Sequence, residues 1–135
     1  MRLMLDLNVL LDVVQRREPF YEASASVLSR VVAGEDSGFL PGHALTTLYY
    51  VVRKFSGKGQ ADGFVDWLLT YLEVVPQDKA LFVRARSLPM PDFEDAAVAS
   101  AAEASECDVI VSRNATDFEG SPVQAMTPGE LLAFA

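Results

Sequence analysis

Carboxylates stand at three places where the sequence could gather them. Asp6 follows the short apolar run Leu3 to Leu5 in "LMLDLNVLLD", Asp92, Glu94 and Asp95 crowd "PDFEDAAVASAA", and Asn114 and Asp117 follow the run ending at Ser112 in "VIVSRNATDF". Carboxylates brought together repel unless a cation neutralises them or some keep a proton. Oxygen-only ligation suits the hard ions Mg²⁺ or Mn²⁺. A pocket holding one or two such ions suits phosphodiester hydrolysis, because the metal acidifies a bound water, holds it in line with phosphorus and stabilises the leaving oxygen. Asp6, Asp95 and Asp117 are therefore the candidate metal ligands and catalytic acids, with Asp92, Glu94, Ser112 and Asn114 in support. Arg113, beside the third motif, and Lys54, clustered with Arg53 and Lys58, are candidate phosphate contacts.

Each position also has a purely structural explanation. Asp6 before an apolar-periodic run is a common helix N-cap. Asp92 with Asp95 three residues on resembles a capping box, and acids favour the positive end of a helix dipole, although one cap leaves the third acid unexplained. Asn114 and Asp117 are ordinary turn formers. Arg113 and Lys54 read equally as solvated surface charge.

Positioning these residues requires particular elements. Leu3 to Leu5, Gly38 to Leu40, Glu73 to Val75, Val109 to Ser112 and Val123 to Met126 are apolar runs of strand length. Helical patterns occupy Val9 to Gln15, Phe20 to Val32, His43 to Phe55, Gln60 to Leu72, Asp78 to Ser87, Phe93 to Ala104 and Pro128 to Phe134. The third and fourth are separated by a Ser56-Gly57-Lys58-Gly59 loop. Strands alternating with helices call for parallel pairing through right-handed crossovers: an α/β three-layer sandwich with a central parallel sheet of about five strands. Ligands of open parallel sheets sit beyond the carboxyl ends of the strands, where Asp6 falls.

The chain has 135 residues, half of them hydrophobic, which predicts one domain spanning residues 1–135. Its net charge of −8, from 11 basic and 19 acidic residues, lacks the basic footprint of nonspecific nucleic-acid binders. A nucleic-acid role must then rest on bound metal or a local basic patch. The single Cys107 excludes an internal disulfide and reads as a small buried residue. With no secretory leader or membrane-length apolar stretch, a cytoplasmic setting is expected. Phe64, Trp67, Leu68 and Tyr71 recur at helical spacing and read as core or dimer interface. Asp12 reads as a solvated helix residue, and Phe20 and Tyr21 as helix-start packing or part of a partner groove.

"LDLNVLLD", "DFEDAAVASAA" and "VSRNATDF" followed by "MTPGELL" together resemble the PIN-domain ribonucleases, especially the toxin subunits of the VapBC type, in order over nearly the whole chain. The resemblance implies a Mg²⁺- or Mn²⁺-dependent endoribonuclease acting on RNA, often a homodimer and inhibited by a small antitoxin protein. The family's first acid matches Asp6, the acid of the later helix Asp95 and the last acid Asp117, and Asn114 matches a supporting polar residue. One departure is plain: in "HALTTLYYVVRK" the glutamate expected of the family is replaced by Thr47, which lacks the charge. With Leu45, Leu48, Tyr49, Val52 and Phe55 facing the core, His43, Thr47, Tyr50 and Lys54 share the opposite stripe, so His43 could bind metal, touch phosphate or move a proton, or simply cap the helix. A noncatalytic RNA- or protein-binding module is the alternative that the missing glutamate motivates. Phosphate-receiver and haloacid-dehalogenase-type domains fit less well. The receiver's later acid and lysine would fall in "VVPQDK" and "AMTPGE", and Asn8 stands where the dehalogenases place a second aspartate.

Overall fold

The apolar runs form β1 (Arg2–Leu5), β2 (Ser37–Pro41), β3 (Leu72–Val75), β4 (Val109–Val111) and β5 (Ala125–Met126) in the computed structural model, which describes residues 1–135. All pair in parallel in one five-stranded sheet of order β3-β2-β1-β4-β5. The intervening helices are α1 (Leu7–Val14), α2 (Tyr21–Val32), α3 (Gly42–Tyr71), α4 (Lys79–Ser87), α5 (Phe93–Ala104) and α6 (Pro128–Phe134), with a 3₁₀ turn at Ala115–Phe118. The expected three-layer α/β architecture is the one observed.

Alternation along the strands divides the core. Leu3, Leu5, Leu40, Val109 and Val111 face α1, α2, α3 and α6, whereas Met4, Phe39 and Ile110 face α4 and α5. Each fully buried leucine contributes about 2 kcal/mol by leaving water, so the short central strands are held as much by both helical layers as by their own hydrogen bonds. α5 lies close to the sheet because Ala96 through Ala102, all buried, are Ala, Val or Ser. α6 starts with a full capping box between Thr127 and Glu130.

The two helices expected on either side of residues 56–59 are present and meet at a kink at Gly57, whose φ of 86° and ψ of 170° are non-helical and suit glycine, so that both lie within the span of α3. Two expectations need correction. Phe55, expected in the core, is 70% exposed. The helix overhangs the sheet there: its buried face of Ala44, Leu48 and Val52 resumes only at Ala61. β5 is shorter than Val123 to Met126 because Val123 belongs to a serine turn, its N–H donating to Ser121 Oγ at 3.1 Å while that hydroxyl donates to the Val123 carbonyl at 2.6 Å.

Farther along α3, Leu68 is fully buried, Phe64 and Trp67 pack beside it, and Tyr71 is partly exposed. Cys107 is buried and burial pushes its thiol up to about 11, so it is an inert core residue. No helix is long and apolar enough to cross a membrane.

Candidate functional site

β1 lies between β2 and β4, so the chain leaves it in one direction toward β2 and β3 and later returns on its other side with β4 and β5. Ligand crevices of open parallel sheets form at such a reversal. Asp6 sits there, directly after β1, with its N–H donating to the Val111 carbonyl at 3.0 Å.

Its carboxylate is nearly covered and fixed from two sides. Oδ1 accepts the Leu7 N–H at 2.9 Å and Oδ2 accepts the Ser112 hydroxyl at 2.8 Å. Ser112 Oγ in turn accepts from Asn8 Nδ2 at 3.3 Å and from the Asn114 N–H at 3.1 Å, while Asn8 Oδ1 accepts the Arg113 N–H at 3.1 Å. This network ties the end of β1 to the end of β4. Helix capping accounts for only one of the two Asp6 bonds, and that one reaches only the adjacent residue.

The acids of α5 divide the work. Asp92 is the N-cap, its Oδ1 accepting the Asp95 N–H at 2.9 Å. Asp95 makes no return bond, so there is no capping box and its side chain is left for the crevice. A cavity of about 250 Å³ is lined by Asp6, Asn8, Glu94, Asp95, Asn114 and Asp117, together with Arg17. Burial first, and then the negative charges of Asp92, Asp6, Asp117 and Glu94, push the Asp95 carboxyl up to about 7. Asp6 is also raised, by burial above all, against the opposing bonds from Ser112 and Leu7.

The structure thus brings Asp6, Asp95 and Asp117 onto one cavity, with Glu94 and Asn114 on its wall and Ser112 beneath Asp6. Donor chemistry there fits a hard divalent cation: oxygens only, mutually repelling, on a carboxyl whose proton is held by burial first and by neighbouring charge second. No three acidic, histidine or cysteine side chains are close enough together to form a finished cage. The fit is one of donor type and convergence, and Asp6, Asp95 and Asp117 are the residues that would supply the ligands.

Other candidates lie elsewhere. Thr47 is exposed and its hydroxyl donates back to the His43 carbonyl at 3.4 Å, as threonines in mid-helix do. His43 is held by Gln77, whose Oε1 accepts both its backbone N–H at 2.6 Å and its ring Nδ1 at 2.9 Å. Its Nε2 is buried without a partner, and its charge reaches Asp6 only as the weakest influence on that carboxyl. Lys54 is exposed on the overhanging part of α3, away from the cavity wall. Arg113, expected as a phosphate contact beside the acids, turns the other way: its Nε is 3.4 Å from Asp12 Oδ2 and its guanidinium lies 4.3 Å from the centre of the Phe20 ring. Asp12, expected in solvent, is fully buried on α1. Both reversals follow from β4 entering beside β1, which sets its following loop over the inner face of α1 and α2.

Two lining residues escaped the sequence reading. Asn8 was weighed only as a departure from another family's motif, although its position two residues after Asp6 was a usable signal. Arg17 is brought in by the turn after α1, where its N–H donates to the Asp12 carbonyl at 2.9 Å, and nothing in "QRREP" indicates that direction.

A family model described as PIN domain matches residues 2–116. No curated protein matches the sequence. Among solved structures, VapBC from Salmonella typhimurium bound to DNA has a chain similar to this one with a TM-score of 0.72 and 18% identity, covering 95% of this chain and 98% of that one. VapBC2 from Rickettsia felis, bound to a DNA fragment from its promoter, matches with a TM-score of 0.70 and 20% identity over 94% and 98% of the two chains. VapC20 of Mycobacterium tuberculosis, a toxin that cleaves the sarcin-ricin loop, matches with a TM-score of 0.62 and 12% identity over 80% and 86%.

Proposed function

The chain belongs to the PIN-domain family, and we propose that it is a Mg²⁺- or Mn²⁺-dependent endoribonuclease, the toxin of a toxin-antitoxin pair. The observation that carries this reading is the convergence of Asp6, Asp95 and Asp117 on one cavity at the sheet's switch point. The similar structures support it by analogy: several are of VapBC, one is described as a toxin-antitoxin complex and one as a toxin that cleaves the sarcin-ricin loop. On this reading the chain works as a single PIN-like unit in the cytoplasm, as a homodimer bound and silenced by a small antitoxin.

When bound, the metal supplies an acidified water and charge on the scissile phosphate. The chain's own residues supply orientation. Leu7 and Ser112 each engage one Asp6 oxygen, so each oxygen keeps a second lone pair as acceptor capacity, and Asp6 lines the cavity. Asn8 and the Asn114 N–H fix Ser112 in turn. Arg17 places a positive charge on a wall otherwise lined with acids, where a phosphate can meet it. Asp117, exposed on the 3₁₀ turn, closes the far side.

Ser112→Ala tests that orientation. It is expected to weaken Mn²⁺ binding by isothermal titration about tenfold to a hundredfold. Stability should fall by about 1 kcal/mol in urea unfolding.

The decisive experiment is cleavage of single-stranded RNA by the purified chain, with Mn²⁺ and with EDTA. Cleavage in Mn²⁺ that EDTA abolishes is the expected result. Intact RNA in Mn²⁺ sinks the enzyme reading, and RNA that is bound but uncut establishes the second one, a noncatalytic module. Thr47 in place of the expected glutamate and the unfinished acid cage favour that second reading.

A further inference from the structure

Arg17 faces two cavities: the acidic one, and a neighbouring groove of about 560 Å³ whose wall is Val14, Gln15, Arg16, Arg17, Phe55 and Ser56. That volume is within the range of ligand sites. Phe55, on the overhang of α3, is 70% exposed and has the Lys54 ammonium 6.0 Å from its ring centre.

Charge is unevenly spent over this acidic surface. Ion pairs engage Arg30, Lys58, Arg84 and Arg113, whereas Arg2, Arg16, Arg17, Arg53, Lys54, Lys79 and Arg86 have none. Four of these unpaired cations belong to the two segments that wall the groove: Arg16 and Arg17 in the turn after α1, and Arg53 and Lys54 on the overhang that carries Phe55. The turn is pinned by backbone bonds, Arg16 N–H to the Val13 carbonyl at 3.2 Å and Arg17 N–H to the Asp12 carbonyl at 2.9 Å, with Arg16 in the left-handed region at φ 48°. An exposed aromatic ring among unpaired cations and polar side chains is poorly suited to an apolar protein partner. It is well suited to a single strand, whose bases stack and whose phosphates need positive charge.

Resting on the ribonuclease reading, we propose that this groove is the track for the RNA strand flanking the scissile phosphate, with Phe55 stacking a base and Arg16 and Arg17 holding consecutive phosphates. Arg17 is the hinge between track and cleavage pocket. The overhang of α3 beyond the sheet then has a use that packing does not give it.

The test is fluorescence anisotropy of a labelled single-stranded RNA dodecamer and of a trimer, in Ca²⁺, over a range of KCl concentrations, with circular dichroism to verify folding. Phe55→Ala should weaken the dodecamer about tenfold and leave the trimer, too short to span both cavities, unchanged; Phe55→Trp should restore affinity. Arg16→Asn, chosen because asparagine tolerates the left-handed backbone, combined with Arg17→Gln should lower the slope of log affinity against log salt by about 1.4, two phosphates' worth for a single strand. Wild-type affinity and slope in these variants, while the parent still binds and cuts RNA, overturn the track and leave the ribonuclease reading standing. A parent chain that binds neither oligonucleotide overturns both. A Phe55→Ala change in sedimentation with unchanged RNA affinity assigns this face to a second copy and overturns the track alone.

Discussion

Asparagine in place of Asp6 or Asp95 is expected to lower the rate of RNA cleavage in Mn²⁺ by at least about a hundredfold, the cost of removing one preorganised charge from a reacting centre. The same Asp95→Asn change should stabilise the metal-free protein. Asp95 is pushed up to about 7 from an ordinary value of 3.8, so its carboxylate is less favourable in the folded chain than in the unfolded one. Its contribution favours folding while the group is protonated in both states, and declines as pH rises from about 4 through 7. Thermal unfolding in EDTA should therefore show the parent losing stability between pH 5 and pH 8 relative to Asp95→Asn, by a few degrees given the partial exposure of the group. Opposite movements of activity and stability distinguish a functional acid from a helix cap. A large stability loss in Asp95→Asn, or an unchanged cleavage rate, contradicts the assignment.

Arg113→Ala is expected to act on the fold more than on chemistry. Asp12 is fully buried, neither of its oxygens has a hydrogen-bond partner, and Arg113 is its only ion-pair partner. Removing the guanidinium leaves a buried carboxylate uncompensated and uncovers Phe20, at a cost of about 2–3 kcal/mol in urea unfolding at pH 7. Burial already raises Asp12, and Arg113 is the strongest influence holding it down. Without Arg113 it rises further. The deficit should be full at neutral and alkaline pH and should shrink as pH falls and Asp12 takes up a proton. The double change Asp12→Leu with Arg113→Met should recover most of the loss. A single variant as stable as the parent at pH 8 would show that the pair carries no weight.

The sheet was legible because its strands are bounded apolar runs between helical patterns, and parallel order follows from that alternation. Asp6 could be placed because a carboxylate at a strand's end in such a sheet has few addresses. The side on which Arg113 emerges was not legible, since it depends on the register between β4 and β1 and on the twist that lays the following loop over α1. Asp12 was misread for a related reason: a charged residue on an apolar helix reads as solvated unless its distant partner is known. Phe55 failed through periodicity itself, which continues past the point where the sheet beneath it ends. Arg17 was hidden in a turn whose direction is set by backbone bonds that leave no mark on the side-chain pattern.

Asp6 depends on a hydroxyl 106 positions away, and the sheet admits β4 only at the open edge of β1. A nascent chain that has emerged as far as α5 can already stack β3, β2 and β1, yet it holds its first aspartate without Ser112, Asn114 or Asp117. The acids that line the cavity therefore meet only when the segment from β4 onward docks beside β1.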